Sequence, residues 1–308
     1  MAADLSVELL PGLRLKNPVM PASGTYECGS ANVYNPGQLG AIVTKSVAPV
    51  PWPGNAPPRL HETTGGLLNA VGIPSEGVVA FREKVLPTLR QYDTALIISV
   101  AGETTEEFAR VIQALEGEAG ISAYELNFSC PNLGDGIPFG TNPDLLYQAV
   151  ARARQETKRP IIVKLSPNVT DIALMAREAQ KAGASAVALI NTLTGMAIDV
   201  RRRRPVLGNT FGGLSGPAIK PVALRMVWEV AGAVDLPVIG VGGISNTSDA
   251  LEFLLAGARA IQVGTANFAN PLVMPQIING IASYLEENGF SKITDIIGLA
   301  RKGEEDWG

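Results

Sequence analysis

Residues 237–265 read PVIGVGGISNTSDALEFLLAGARAIQVGT: a short apolar run, a helical stretch and a second apolar run. Pro237–Val241 and Ala260–Gly264 are apolar at nearly every position, as strands buried on both faces of a parallel sheet are. Between them, Asn246 to Asp249 open a helix and Gly257 stops it, glycine relieving the left-handed turn at a helix C-terminus. The stop recurs: Ala182-Gly183-Ala184-Ser185-Ala186 has the form of Ala256-Gly257-Ala258-Arg259-Ala260, and each runs from a helix end into a strand. The chain therefore repeats a helix–strand unit.

Working outward, six more apolar, β-branched runs have the same character: Val19–Ala22, Ala41–Thr44, Ala95–Val100, Ala123–Asn127, Ile161–Leu165 and Ala186–Ile190. Helical patterns lie between most of them. Thr104-Thr105-Glu106-Glu107 offers a capping box ahead of Phe108 and Val111, and Thr170-Asp171 opens the helix that stops at Gly183. Eight strands with interposed helices predict an α/β fold, a (β/α)8 TIM barrel. The 308 residues, 46% of them apolar, suit one such barrel, and no break in composition marks a second domain within 1–308. Three connections, Lys45–Pro74, Ser129–Pro143 and Asn191–Pro217, are too long for scaffolding. Each begins at the C-terminal end of a strand, where barrels of this kind carry their sites. They are dense in Pro, Gly and Asn, so a functional and a disordered reading both stand.

The formal net charge is −4, with 18% charged residues. A mildly acidic chain has no general attraction for nucleic acid or for an anionic membrane surface. No secretory pattern or stretch of membrane-spanning length occurs, and the first strand near Val19 leaves no room for an N-terminal membrane anchor. The two cysteines, Cys28 and Cys130, make no disulfide framework and cannot alone ligate an iron–sulfur cluster; a cytoplasmic setting fits. The one histidine, His61, excludes His-rich metal sites and reads as solvated in a Pro-rich loop. Arg201 to Arg204 read first as a solvated face, second as a docking or lid element.

Two glycine turns stand where barrels often bind phosphate, after the seventh and eighth strands: Gly242-Gly243 and Gly264-Thr265. The alternative is a pair of tight turns. Gly240-Val241-Gly242-Gly243 lacks the third glycine of a dinucleotide fingerprint, so a mononucleotide such as FMN fits better. Cys130 follows the fourth strand within Asn127-Phe128-Ser129-Cys130-Pro131-Asn132. It is either an activated thiolate acting as base or nucleophile, or a small semi-buried apolar residue. Lys164 lies inside an apolar strand and needs a partner. A ligand anion would serve, and so would Glu125. Lys45-Ser46, Asn69 and Asn191-Thr192 add amides and a second cation to the same mouth.

Together these phrases resemble class 1 dihydroorotate dehydrogenases over essentially the whole chain. The matching stretches are Pro21-Ala22-Ser23-Gly24, Thr44-Lys45-Ser46, Asn69-Ala70-Val71-Gly72-Ile73, Asn127 to Asn132, Val163-Lys164-Leu165-Ser166-Pro167, Asn191-Thr192, Gly212 to Pro217, Gly242-Gly243 and Gly264-Thr265. The resemblance implies oxidation of (S)-dihydroorotate to orotate in pyrimidine (UMP) synthesis, with FMN taking the hydride and Cys130 as base. It implies that Lys45, Asn69, Ala70, Val71, Gly72, Ile73, Asn127, Asn191 and Thr192 bind the substrate. It also implies that Ser23, Lys45, Ser46, Asn127, Lys164, Ile190, Gly216, Gly242, Gly243, Gly264 and Thr265 bind FMN, with no metal. Ser99 stands where many relatives carry asparagine, which leaves that flavin contact open. Gly136-Ile137-Pro138-Phe139-Gly140-Thr141 looks like the NAD-dependent type (class 1B). In that type a partner subunit carries FAD and a 2Fe–2S cluster, within a heterotetramer built on a homodimer of the catalytic chain. A fumarate-dependent homodimer (class 1A) is the nearest alternative. A dihydropyrimidine or dihydrouridine enzyme is more distant, and a non-catalytic barrel that binds a phosphorylated ligand is the alternative from another class.

Overall fold

A computed structural model describes residues 3–26, 32–128 and 139–306. Cys28, and the part of the second long connection, Ser129–Pro143, that holds Cys130, lie outside the described residues. Eight strands form one sheet: β1 (Val19–Pro21), β2 (Ala41–Val43), β3 (Ala95–Val100), β4 (Ile121–Asn127), β5 (Ile161–Leu165), β6 (Ala186–Leu189), β7 (Val238–Val241) and β8 (Ala260–Val263). Their spatial order is β1-β8-β7-β6-β5-β4-β3-β2, and every hydrogen-bonded pair is parallel. The end strands β1 and β2 lie against each other, so the sheet comes round into a nearly closed (β/α)8 TIM barrel. Strands β5, β6, β7 and β8 are buried at every residue, because helices cover the outer face and the barrel core fills the inner one.

The connecting helices are α1 (77–89, with a π-turn at Phe81–Val85), α2 (Thr105–Leu115), α3 (Pro143–Glu156), α4 (Ile172–Lys181), α5 (Lys220–Ala231), α6 (Thr247–Leu255) and α7 (Val273–Glu287). Among the described residues, the β1–β2 connection has only a 3-10 turn at Pro36–Gln38. Helix α2 buries Phe108, Ala109, Val111, Ile112 and Leu115, one stripe of a 3.6-residue period. Its start departs from the expected reciprocal box. Thr104 Oγ1 accepts from Glu107 N at 3.2 Å, but the Glu107 carboxylate turns to Glu103 N at 2.7 Å. Asn246 and Asp171 cap α6 and α4 as their sequences suggest. Gly183 and Gly257 have φ of 94° and 114°, the left-handed turn that their repeated phrase calls for.

Two of the long connections are ordered. Leu193–Gly195, Gly212–Ser215, Gly66–Asn69 and Leu60–Thr63 pair antiparallel, in that order, into a sheet over the barrel mouth. The disordered reading of Lys45–Pro74 and Asn191–Pro217 is thereby excluded. His61 is exposed, but it sits on a strand of this sheet rather than in a loop. Arg201 to Arg204 are exposed beside the short hairpin Ile198–Asp199/Arg204–Pro205, where Asp199 accepts from the Arg201 and Arg202 amides. A further hairpin, Val7–Leu10 with Leu13–Leu15, precedes the barrel and sinks Val7, Leu9, Leu10 and Leu15 into the core. It has no counterpart in the reading of the sequence.

Thr104→Ala is expected to cost about 1 kcal/mol of stability, the usual worth of an N-cap hydroxyl. Urea unfolding followed by circular dichroism measures it. An unchanged midpoint would mean that α2 is held by its buried stripe alone.

Candidate active site

Parallel strands bring all their C-terminal ends to one mouth. There the structure forms a cavity of about 800 Å³, bounded above by Leu67, Asn69, Ser215 and the turn Val71–Pro74. Among the described residues expected to bind a ligand, all line this cavity except Ala70. Ala70 is buried and packs with Leu68 and Leu207 in a small separate apolar cluster. Cys130 is outside the described residues, but Asn127, three positions earlier, is in the cavity wall.

One end of the cavity is made of strand-end amides and hydroxyls. Ser46 Oγ lies 2.8 Å from Ser99 Oγ, 3.3 Å from Ser23 Oγ and 3.0 Å from Asn127 Nδ2, which donates to it. Asn127 Oδ1 accepts from Asn191 Nδ2 at 3.2 Å, and Asn191 Oδ1 accepts from Thr192 N at 2.8 Å. Ser23 Oγ donates to Thr44 O. Five strand ends are thus tied by one network, and each amide's donor and acceptor sides are fixed in advance. Ser99 is fully buried and serves this network rather than the cavity wall.

The opposite end is built from glycines. Gly242 and Gly243 have φ of 127° and 74° and Gly216 has 96°, all in the region that side chains rarely adopt. A Cβ on Gly243 would stand 2.8 Å from Lys220 N. Gly264 is different: its Cβ would meet nothing closer than 3.6 Å, so neither crowding nor conformation within the chain requires glycine there. Its bare backbone faces the cavity. Thr265 Oγ1 donates to Ser215 Oγ at 2.8 Å and ties this end to the sheet above. Behind it, Lys220 Nζ bonds Asp249 at 2.7 Å and Glu252 at 2.8 Å, while Ser245 donates twice to Asp249. Burial works against ionisation of Asp249, but these bonds outweigh it and hold the carboxyl below its usual range.

The cavity floor holds Lys164, buried within β5. Its Nζ donates to Gln262 Oε1 at 2.8 Å, and Gln262 Nε2 donates to Glu125 Oε2 at 2.5 Å. The expected choice between Glu125 and a ligand therefore has an intermediary, Gln262, the one amide in the apolar run Ala260–Val263. Asn168 also went unread in the sequence. It donates to Thr192 O at 3.1 Å and accepts from Thr194 N at 2.9 Å, and so steadies the loop after β6. Ile73 has φ of 47°, a costly conformation for a β-branched residue, beside Gly72 at 74°. Such strain persists where surroundings over-determine it, and here it shapes the rim of the cavity. Among the described residues there is no cluster of metal-ligating side chains, and no helix is long and apolar enough to cross a membrane.

A family model described as dihydroorotate dehydrogenase matches residues 5–285. The relatives include catalytic subunits named dihydroorotate dehydrogenase B (NAD(+)). That of Geotalea uraniireducens (strain Rf4) is 51% identical over 298 residues, 96% of this chain and 97% of its own. That of Geobacter metallireducens is 52% identical with the same coverage, and that of Desulforudis audaxviator is 51% identical over 296 residues, 95% of this chain and 96% of its own.

Ser46→Ala is expected to destabilise the fold by about 1–3 kcal/mol, since it removes the partner of the buried Ser99 hydroxyl. A urea midpoint equal to that of the unmodified chain would show the network to be dispensable for folding.

Proposed function

The chain belongs to the dihydroorotate dehydrogenase family, class 1B, and we propose that it is an FMN-dependent catalytic subunit that oxidises (S)-dihydroorotate to orotate in pyrimidine synthesis. The observation that carries this reading is the single cavity with two unlike ends: glycine backbone at one, oriented amides with a lysine at the other. The bare face of Gly264 fits a phosphate that approaches the main chain, at the loops after β7 and β8 where barrels hold one. Gly216, Gly242, Gly243, Gly264 and Thr265 would hold the FMN phosphate end. Ser23, Lys45, Ser46, Asn127, Lys164 and Ile190 would hold the rest. FMN, when bound, supplies the hydride acceptor.

The chain's own residues bind and orient the substrate. Lys45, Asn69 to Ile73, Asn127, Asn191 and Thr192 grip an anion rich in acceptor oxygens, with amide polarity already set by the Asn191–Asn127–Ser46 bonds. Cys130 takes the proton from C5 of the substrate. That role rests on its place after Asn127 in the phrase that resembles the family. The electrons leave for a partner subunit that carries FAD and a 2Fe–2S cluster and reduces NAD+. The names of the relatives support this division of labour, as do the missing dinucleotide fingerprint and the two cysteines of this chain. The chain acts in the cytoplasm as one domain over 1–308, paired with itself inside a heterotetramer.

Anaerobic dihydroorotate is expected to bleach the flavin absorbance of the purified chain. A flavin band that persists would move the substrate elsewhere, and no band even after added FMN would favour a phosphate-binding scaffold. Cys130→Ala should keep FMN bound and lose about 10²–10⁴-fold in turnover. Undiminished turnover would remove Cys130 as base. Turnover with fumarate in place of NAD+ and the partner subunit would point to the homodimeric class.

A further inference from the structure

Glu125 and Lys164 are the only acidic and basic residues in the eight barrel strands. Both lie in the barrel interior, 0% and 5% exposed, and fully buried Gln262 stands between them. The three come from β4, β5 and β8, so the link crosses the barrel from one wall to the other. A buried pair of charges is seldom the most stable filling of a core, where apolar side chains of similar volume often do better. Stability alone is therefore a poor reason for placing a carboxylate there. Glu125 does not line the cavity, whereas Lys164 does.

We infer that Glu125 is a positioning residue for the flavin site, its carboxylate acting through the Gln262 amide to fix the place and the positive charge of Lys164 Nζ. The inference rests on the FMN reading above. The link is directional. A carboxylate can only accept, so it draws Gln262 Nε2 towards itself and turns Gln262 Oε1 towards the lysine. A flipped amide would set donor against donor at Lys164 and acceptor against acceptor at Glu125. Burial lowers the affinity of Lys164 for its proton, and the charge of Glu125 counters that loss. Along β4, β5, β6 and β8 no other carboxylate is present to do so. The result is a held cation in the cavity floor, which favours negative charge on a ring above it and so favours the reduced over the oxidised flavin.

Glu125→Gln keeps the shape of the side chain and removes its charge. In the FMN-loaded chain, the preference for reduced over oxidised FMN is expected to fall about tenfold. That is a two-electron midpoint potential about 30 mV lower, read by anaerobic titration against a reference dye. The double variant Glu125→Gln/Gln262→Glu moves the carboxylate one step along the link, against Lys164, and should bring the potential back to that of the unmodified chain. A purely structural Glu125 predicts an unmoved potential in both variants, and that result overturns the inference. A potential that stays low in the double variant overturns it too. If the single variant does not fold, Gln262→Met, which cuts the link between Glu125 and Lys164, is read in its place: a lowered potential supports the link, and an unmoved one ends it. Failure of the unmodified chain to bind FMN would instead overturn the FMN reading, and this inference with it.

Discussion

The parallel ladder that runs from β1 through β8 to β2 is the constraint on which the rest of the molecule depends. Parallel strands cannot be joined by tight turns. Each needs a crossover, and each crossover returns the chain to the same starting edge. All eight C-terminal ends must then open at one mouth. Residues as far apart in the chain as Ser23, Ser46, Asn127 and Asn191 become hydrogen-bonded neighbours for that reason alone. The helices α2 to α7 keep the ladder dry on its outer side, and their buried stripes account for the apolar strands on which the sequence reading turns.

That geometry also decides where polar groups can be afforded. Ser99, Glu125, Lys164 and Gln262 are buried inside a barrel whose other interior residues are largely apolar. Buried polar groups cost free energy unless they are bonded. Each of these four is bonded to another residue that reaches towards the mouth: Ser99 to Ser46, and Glu125 through Gln262 to Lys164. The polar core is thus an extension of the cavity downward, and the side chains below the floor set the orientation of those in it.

The barrel strands are legible in the sequence to within a residue or two at each end, because burial on both faces leaves an unmistakable apolar run. The helix stops at Gly183 and Gly257 are legible for a similar reason: a left-handed turn selects one residue type. The small sheet over the mouth is not. Its pairing joins Leu67 to Ser215 and Asn69 to Gly213, segments nearly half the chain apart, and strands of three or four residues carry no period to read. The surroundings of Ala70 are hidden for the same reason. Its position in a binding phrase is local information, whereas its burial under Leu207 comes from a distant loop. Gln262 was visible as an amide in an apolar run, but its partner could be named only once β8 faced β4 and β5 across the barrel.

The glycines of the mouth separate into two kinds, and the difference bears on what the cavity holds. Gly243 and Gly216 are required by the chain itself: their φ values are positive, and a Cβ on either would press into backbone within 2.8 Å. They would be glycine whether or not anything bound. Gly264 has neither reason, since the nearest atom to its Cβ would be 3.6 Å away. A methyl group there would cost the folded chain little, since it would meet only Ala22 Cβ at 3.6 Å and Thr25 Cγ2 at 4.0 Å, ordinary van der Waals contacts. Glycine at such a position is explained by something outside the chain that comes close to the main chain. A phosphate approaching the backbone amides after β8 is that kind of neighbour, and Gly264, rather than the more conspicuous pair Gly242-Gly243, is the residue that speaks for it.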